Sequence, residues 1–311
     1  MIANPDAALS PVATTLQCRI SLPLGYRQAD FLAFHRRDSE EVAERVTPSS
    51  LAKGLLWGDS AACLFILFSD AHAQVRLEID RVCTGHQRLA TQLEHRVRLM
   101  LGLCQPIEAF ERQHGSHAQL GALVRSFAGL RIPVAASPFE ALSWAIIGQQ
   151  ISVGAAISIR RRLIRVAGIR HSSGLWCFPQ PQQIEALSHD DLRAAGLSAG
   201  KVRTFDALCA AIASGELSLD VQGGQAEALG AQLLQIKGIG PWTVNYVLMR
   251  GFGWLDGSLH GDVAVRRGLQ RLLGLADRPS ETQTRTWLSG FSPWRALVAA
   301  HLWALDARPE P

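Results

Sequence analysis

The residues best suited to chemistry are the turn Ile236-Lys237-Gly238-Ile239-Gly240-Pro241 and the carboxylate of Asp262, about twenty residues further on. Two glycines on either side of one isoleucine predict a tight turn, because glycine tolerates positive φ, and Pro241 suits the first position of a helix. The first N–H groups of a helix have no intrahelical partner and lie at the positive end of the helix dipole. The turn therefore predicts a site for an anion of phosphate size.

Asp262 precedes the helix-like run from Val263 to Leu273, so it occupies the position of an N-cap aspartate. Capping alone would explain an aspartate at this position, but a cap can also be a catalyst. A helix start favours the ionised carboxylate, which is the form that could stabilise a positively charged sugar or orient an attacking water.

Three aromatic residues accompany these groups. Trp242 and Tyr246 are four residues apart and share one helix face directly after the turn, and Ser292-Pro293-Trp294-Arg295 places a third aromatic ring at another helix start. Such a pair belongs to a protein core more often than to a binding surface. Its position beside the anion site favours the binding surface here, since flat apolar walls suit a stacked nucleobase.

Composition limits the class of protein. With 311 residues, 48% hydrophobic and 19% charged, the chain is globular and long enough for two or three packed units. Its basic excess lies in residues 121–311, with 19 Lys+Arg against 14 Asp+Glu, which is the sign that a polyanion requires. The six cysteines form no close pair, so we expect reduced thiols and neither disulfides nor a metal cluster.

Neither a signal peptide nor a membrane span is predicted. The N-terminal sequence lacks a basic start followed by an apolar run, and the apolar stretch 61–68 is too short to cross a bilayer. We expect a cytoplasmic protein, associated with the nucleoid in a bacterium, with no membrane partner.

The pattern of the chain predicts an α+β fold. Alternating or apolar runs at 17–22, 63–68 and 75–79 predict strands, with a helix near 31–36, and helical patterns follow Arg81. Ser137-Pro138-Phe139-Glu140 predicts a capped helix start, and 196–201 predicts a second turn that contacts phosphate through Lys201. We expect an N-terminal sheet domain at 1–115 and a helical domain at 116–311, with residues of about 85–115 able to pack on the C-terminal helices.

Several of these segments together resemble one known family, the helix-hairpin-helix superfamily of DNA glycosylases, and within it the DNA-3-methyladenine glycosylase II branch. The segments that carry the resemblance are 129–133, 139–142, 147–153, the hairpin, Asp262 and 292–295. The resemblance implies a small antiparallel β-sheet domain followed by a mostly helical core of two subdomains with a cleft between them.

The resemblance also implies roles for individual residues. Asp262 would be the catalytic residue, and Trp242, Tyr246 and Trp294 would line the base pocket. A plug residue in 149–151 would fill the gap left by the flipped nucleotide, although Gln150 stands where a leucine is expected. The DNA contacts implied are Gly238, Ile239, Gly240, Thr243, Gln149, Gln150, Ile151, Ser152 and Lys201.

No cofactor is expected apart from a monovalent cation, Na⁺ or K⁺, which in this family is held by backbone carbonyls, here those of Leu234, Ile236 and Gly238. Trp242 occupies the position at which bifunctional relatives carry a Schiff-base lysine, so a monofunctional enzyme is implied. The chain has no cysteine after Cys209, which argues against the iron–sulfur cluster of the endonuclease III branch.

The predicted activity is that of a monomeric DNA glycosylase that flips alkylated purines such as 3-methyladenine or 7-methylguanine out of damaged double-stranded DNA and hydrolyses their N-glycosidic bond. Two alternatives stay open on the sequence. One is a non-catalytic helix-hairpin-helix DNA-binding protein, in which Asp262 is merely a cap. The other is a glycosylase of the same fold that acts on another damaged or mismatched base.

Overall fold

The computed structural model describes residues 13–220 and 225–308, which form five strands and fourteen helices. The strands are β1 Thr14–Ser21, β2 Glu44–Val46, β3 Ser50–Trp57, β4 Ser60–Phe68 and β5 His72–Ile79. The helices in the first two thirds of the chain are α1 Gln28–His35, α2 His86–Met100, α3 Ile107–His114, α4 Gly121–Ser126, α5 Pro138–Gly148, α6 Val153–Ala167, α7 Pro181–Glu185, α8 His189–Ala194 and α9 Ala199–Ala213. The remaining helices are α10 Ala226–Leu234, α11 Pro241–Phe252, α12 Val263–Leu273, α13 Glu281–Ser289 and α14 Arg295–Asp306.

The strands form one antiparallel sheet in the order β1-β5-β4-β3-β2. Its register pairs Leu16 with Leu77 and Leu77 with Leu64, so buried side chains line up across neighbouring strands on one face. Both the predicted strands and the helical remainder of the chain are present. The α+β class with an N-terminal antiparallel sheet is therefore confirmed.

A buried ion cluster links the edge of this sheet to α6. The carboxylate of Glu44 in β2 accepts from Lys53 Nζ at 2.5 Å and from both terminal nitrogens of Arg160, at 2.6 and 3.1 Å. Burial alone would raise the pKa of Glu44, but Arg160 and Lys53 hold that pKa well below its ordinary value. The cluster keeps three charges in the interior in a mutually hydrogen-bonded arrangement.

Contacts along the chain group the residues into two compact units. The first unit contains the described residues up to Leu24 together with Gln28–Val97 and Gln150–Val202; the second contains Gly25–Arg27, Arg98–Gln149 and the described residues from Arg203 onwards. The sheet and α6 belong to the first unit, and α11, α12 and α14 belong to the second. The domain boundary expected near residue 115 stays a prediction.

Two capped helix starts confirm the sequence patterns that predicted them. Ser137 accepts from the backbone N–H of Glu140 at the start of α5, and Asp262 caps α12. Within the described residues no helix combines the length and the apolarity that crossing a bilayer requires.

Candidate functional site

The hairpin consists of α10, a turn at residues 235–240 and α11. Gly238 has φ +95°, in the region that favours glycine, and a Cβ built there would lie 2.1 Å from Thr204 Oγ1. Gly240 is the N-cap of α11 with φ −104°, and Pro241 is its first residue. No side chain among the described residues caps this helix, and the anion site expected at its first N–H groups stays a prediction.

Two side chains of the second unit hold this turn in place. Thr204 Oγ1 donates to the carbonyl oxygen of Lys237 at 3.1 Å. Gln149 Nε2 donates to the carbonyl oxygen of Gly238 at 2.9 Å and to Thr243 Oγ1 at 3.0 Å. Thr243 is 2% exposed, and its contact with DNA stays a prediction.

The Asp262 carboxylate lies at the start of α12 and accepts hydrogen bonds on both oxygens. Oδ1 accepts from the backbone N–H groups of Ala264 and Val265, each at 3.0 Å, and from Trp303 Nε1 at 2.9 Å. Oδ2 accepts from Trp242 Nε1 at 3.0 Å. Four N–H donors therefore fix the direction of the carboxylate.

Three aromatic rings form a cluster, and two of them, Trp242 and Trp303, donate to this carboxylate. The rings of Trp242 and Tyr246 are stacked, with centres 5.2 Å apart and an angle of 25° between their planes, and the Trp303 ring lies 6.5 Å from Tyr246. The Arg250 guanidinium lies 5.6 Å from the centre of the Trp303 ring. A charged oxygen pair beside flat apolar rings can stabilise a cation that stacks next to it.

Trp303 was missed by the sequence analysis. It lies near the C-terminal end of α14, in a helix whose residues 296–302 are all buried, so no hydrophobic period singles it out. Its position depends on the packing of α14 against α12. A Cβ on Gly268 of α12 would lie 2.3 Å from the carbonyl oxygen of Leu302, so glycine allows the close approach that lets Trp303 reach Asp262.

Trp294, which the sequence placed in the base pocket, is the N-cap residue of α14. Its Nε1 donates to Gln113 Oε1 at 2.9 Å, and its ring centre lies 5.9 Å from that of Phe110. A separation of nine residues along a helix amounts to about 13 Å, so Trp294 and Trp303 lie at different levels of α14. The pocket role of Trp294 stays a prediction.

The loop between α5 and α6 carries the residues predicted to plug the DNA. Gln150 is exposed and has φ +57°, which is unusual for a residue other than glycine, and Ile151 is 37% exposed. Ser152 accepts from the backbone N–H of Ala155 and caps α6. A backbone in the left-handed region at an exposed glutamine is a feature that functional loops often carry.

The three lysines of the chain differ in environment. Lys53 is 1% exposed and bound to Glu44, and Lys237 lies in the hairpin turn with an exposed side chain. Lys201 lies in the first turn of α9, where burial lowers its pKa. A contact of Lys201 with phosphate stays a prediction.

Two of the three carbonyls predicted to hold a monovalent cation have donors already. The Ile236 oxygen accepts from the backbone N–H of Ile239 at 3.0 Å, and the Gly238 oxygen accepts from Gln149. A carbonyl oxygen has a second lone pair, so these atoms fit a weakly held Na⁺ or K⁺, and the cation stays a prediction. Among the described residues no group of His, Cys, Asp and Glu is arranged to bind a metal ion.

Comparison with known proteins relates this site to base excision repair. The family model described as HhH-GPD superfamily base excision DNA repair protein matches residues 143–293, a span that contains the hairpin and Asp262. Escherichia coli DNA-3-methyladenine glycosylase 2 is 31% identical over 186 residues, which is 59% of this chain and 63% of that protein. Three other curated relatives are matched over 66%, 60% and 42% of their own lengths, so the chain aligns with less than two thirds of each of them.

Solved structures extend the similarity to the fold. A 3-methyladenine DNA glycosylase from Archaeoglobus fulgidus superposes with a TM-score of 0.78 at 22% identity, covering 93% of this chain and 98% of that one. A 3-methyladenine DNA glycosylase from Schizosaccharomyces pombe in complex with abasic DNA superposes with a TM-score of 0.53 at 25% identity, covering 64% of this chain and 98% of that one. Residues 143–293, which contain the hairpin and the capping aspartate, are thus the part of the chain that is similar to the HhH-GPD superfamily of base excision DNA repair proteins.

Proposed function

We propose that the protein is a monofunctional DNA glycosylase that releases alkylated purines, such as 3-methyladenine and 7-methylguanine, from duplex DNA. The names of the relatives and of the DNA-bound structural neighbour support this activity and DNA as the partner. The observation that carries the proposal is the Asp262 carboxylate, which two indole N–H groups hold beside the stacked Trp242 and Tyr246 rings.

The aromatic rings supply the selection of the base. An N3- or N7-alkylated purine carries a formal positive charge, and a cationic ring stacks on tryptophan more strongly than a neutral ring does. Trp242 and Trp303 are partly exposed and offer such a surface next to a negative charge, whereas Tyr246 is 7% exposed and packs against the Trp242 ring. A normal purine lacks the charge, so it gains less from both interactions.

The chemical step follows from the position of the carboxylate. The bond between the anomeric carbon and the base nitrogen breaks, the bonding electron pair leaves with the base, and the departing base becomes neutral. The sugar then carries oxocarbenium character, which Asp262 stabilises in the way carboxylates do in glycoside hydrolysis. A water molecule adds to the anomeric carbon and loses one proton to the solvent, which leaves an abasic site.

The hairpin supplies the grip on DNA. The uncapped N–H groups at the start of α11 would bind one backbone phosphate, a contact that carries no sequence information. Gln150 and Ile151 extend from the α5–α6 loop, and we assign to Gln150 the task of filling the gap left by the flipped nucleotide. Lys201, Ser152 and a cation on the hairpin carbonyls would complete the set of contacts.

No strand cleavage by Schiff-base chemistry is proposed. Trp242 has no amine, and Lys53 is buried in its ion pair with Glu44. We also propose that the enzyme acts as a monomer, in the cytoplasm.

The test is incubation of the protein with methylated DNA and with a hypoxanthine-containing duplex, followed by chromatography of the released bases. We expect 3-methyladenine and 7-methylguanine, a product strand that stays whole until alkali breaks it, and no covalent adduct when borohydride is present. Release of hypoxanthine alone would mean a glycosylase with another substrate. Binding without release of any base would leave a DNA-binding protein in which Asp262 acts as a cap.

A further inference from the structure

Gln149 joins two parts of the hairpin that are separated in sequence. Its side-chain amide donates to the carbonyl oxygen of Gly238, in the turn, and to Thr243 Oγ1, in the first turn of α11. The N–H groups predicted to bind phosphate lie between these two points. One amide group therefore fixes the geometry of the anion site from both sides.

The backbone of Gln149 belongs to a different element. Gln149 is the C-cap of α5 with ψ 126°, so the chain leaves the helix there, and the next residue, Gln150, has φ +57° and an exposed side chain. A rotation of the Gln149 backbone would move its amide away from both acceptors. The conformation of residue 149 and the conformation of the hairpin therefore depend on each other.

We propose that Gln149 is a positioning residue that couples the phosphate-binding hairpin to the loop carrying Gln150. Binding of the DNA backbone by the hairpin and insertion of Gln150 into the gap in the duplex then depend on each other. This inference rests on the proposed function for its use, but its structural part concerns the hairpin alone. The Gly238 carbonyl is also one of the predicted cation ligands, so the Gln149 amide and a bound cation would share the two lone pairs of that oxygen.

The structural part is tested without DNA, by hydrogen exchange of the backbone amides of residues 236–244 measured by mass spectrometry. Gln149→Glu keeps the shape of the side chain and removes both donors, and Gln149→Met removes them without adding charge. Gln232→Glu and Gln232→Met are matched controls, because Gln232 is exposed on α10 of the same hairpin. We expect both Gln149 variants to exchange faster than the wild type and both controls to exchange at the wild-type rate. Unchanged exchange in either folded Gln149 variant would overturn the proposal.

The coupling is tested by a double-mutant cycle on the dissociation constant for a duplex that contains a tetrahydrofuran abasic-site analogue. We expect Gln149→Met alone to weaken binding about tenfold, because two hydrogen bonds to one site are lost. Gln150→Ala alone should also weaken binding relative to the wild type. When Gln149→Met is already present, the factor by which Gln150→Ala raises the dissociation constant should be smaller by at least about threefold. Additive changes in the binding free energy would show that phosphate binding by the hairpin and insertion of Gln150 are independent, and would overturn the proposal.

The two measurements separate this inference from the proposed function. A protein that releases no alkylated base but shows faster hairpin exchange in both Gln149 variants would refute the glycosylase assignment and leave the positioning role intact. An active glycosylase whose Gln149 variants show unchanged hydrogen exchange would support the glycosylase assignment and refute the positioning role.

Discussion

The two oxygens of Asp262 carry different sets of hydrogen bonds. Oδ1 accepts from two backbone N–H groups and from Trp303, whereas Oδ2 accepts from Trp242. The first set consists of the two backbone hydrogen bonds of a helix cap and one further hydrogen bond from the indole of Trp303. The second links the carboxylate to the ring proposed to stack on the base, so one side chain serves α12 and the reaction at the same time.

Asp262→Asn should abolish nearly all base release and leave binding to an abasic-site duplex within a few fold. The amide oxygen can replace Oδ1 at the cap, but the charge is lost and the amide nitrogen would meet the Trp242 N–H, donor against donor. Released bases and duplex binding are measured on the same preparation. Turnover within a few fold of the wild type would exclude Asp262 as the catalytic residue.

Trp303→Phe should lower kcat by about tenfold or more and change KM little. The substitution keeps an aromatic ring and removes one N–H donor from a carboxylate, and a hydrogen bond to a charged group contributes about 1.5–3 kcal/mol. Trp294→Phe is the matched comparison, since Trp294 donates to Gln113. An equal or larger loss of activity in Trp294→Phe would support the pocket role that the sequence predicted for it.

At the scale of elements, the two hairpin glycines have different reasons to be glycine. Gly238 has positive φ and lies against Thr204, whereas Gly240 has φ −104° and its missing Cβ would point into open space. The sequence predicted both glycines as parts of one anion-binding turn. The structure adds that no described atom lies within 4 Å of a Cβ built on Gly240, so packing does not require glycine at this position.

Gly240→Ala should therefore fold normally and bind damaged and undamaged duplexes more weakly by the same factor. Gly238→Ala should lower the unfolding temperature, because a Cβ would clash with Thr204 Oγ1 at a strained φ. Thermal unfolding and duplex binding of both variants distinguish the two effects. A Gly240→Ala variant that loses affinity for lesion DNA alone would mean that the hairpin reads the lesion.

Local signals predicted the elements that carry the chemistry. Ser137 and Asp262 were recognised as caps, and α12 has the predicted bounds Val263 to Leu273, because capping depends on residues close in sequence. The contacts of Gln149 with Gly238 and of Trp303 with Asp262 join residues 89 and 41 positions apart. Such contacts depend on how helices pack, which a single sequence does not specify.

At the scale of the whole molecule, part of the basic excess serves the fold. In the first unit Arg160 binds Glu44, Arg161 binds Asp38 and Arg165 binds Glu40, so these arginines of α6 neutralise the acidic segment 38–44. Net charge predicted the sign of the partner, but it did not distinguish the arginines that hold the protein together from those free to meet DNA.

Buried histidines should make the protein sensitive to acid. Burial lowers the pKa of His301 from 6.5 to about 4, and burial also lowers the pKa of His35 well below 6.5. The unfolded chain therefore binds more protons than the folded protein below pH 6.5, and the free energy of unfolding falls as the pH falls towards 4.

His301 alone should account for a loss of about 2 kcal/mol between pH 7.5 and 5, measured by urea unfolding. In His301→Gln the loss over this interval should be smaller by about that amount, although the variant is less stable at pH 7.5 because the packing around residue 301 changes. An identical pH dependence in the two proteins would exclude a buried neutral His301.

The chain has only three lysines, in three different environments, so amine-reactive labelling can follow three parts of the protein separately. Lys237 lies exposed in the hairpin turn, Lys53 is sealed in the ion cluster with Glu44, and Lys201 has a pKa that burial lowers, which increases its unprotonated fraction near neutral pH. Acetylation followed by peptide mass mapping would therefore give the reactivity of each of the three lysines in one sample. Protection of Lys237 by duplex DNA would footprint the hairpin, modification of Lys53 would register global unfolding, and Lys201 would monitor the start of α9 in the same sample.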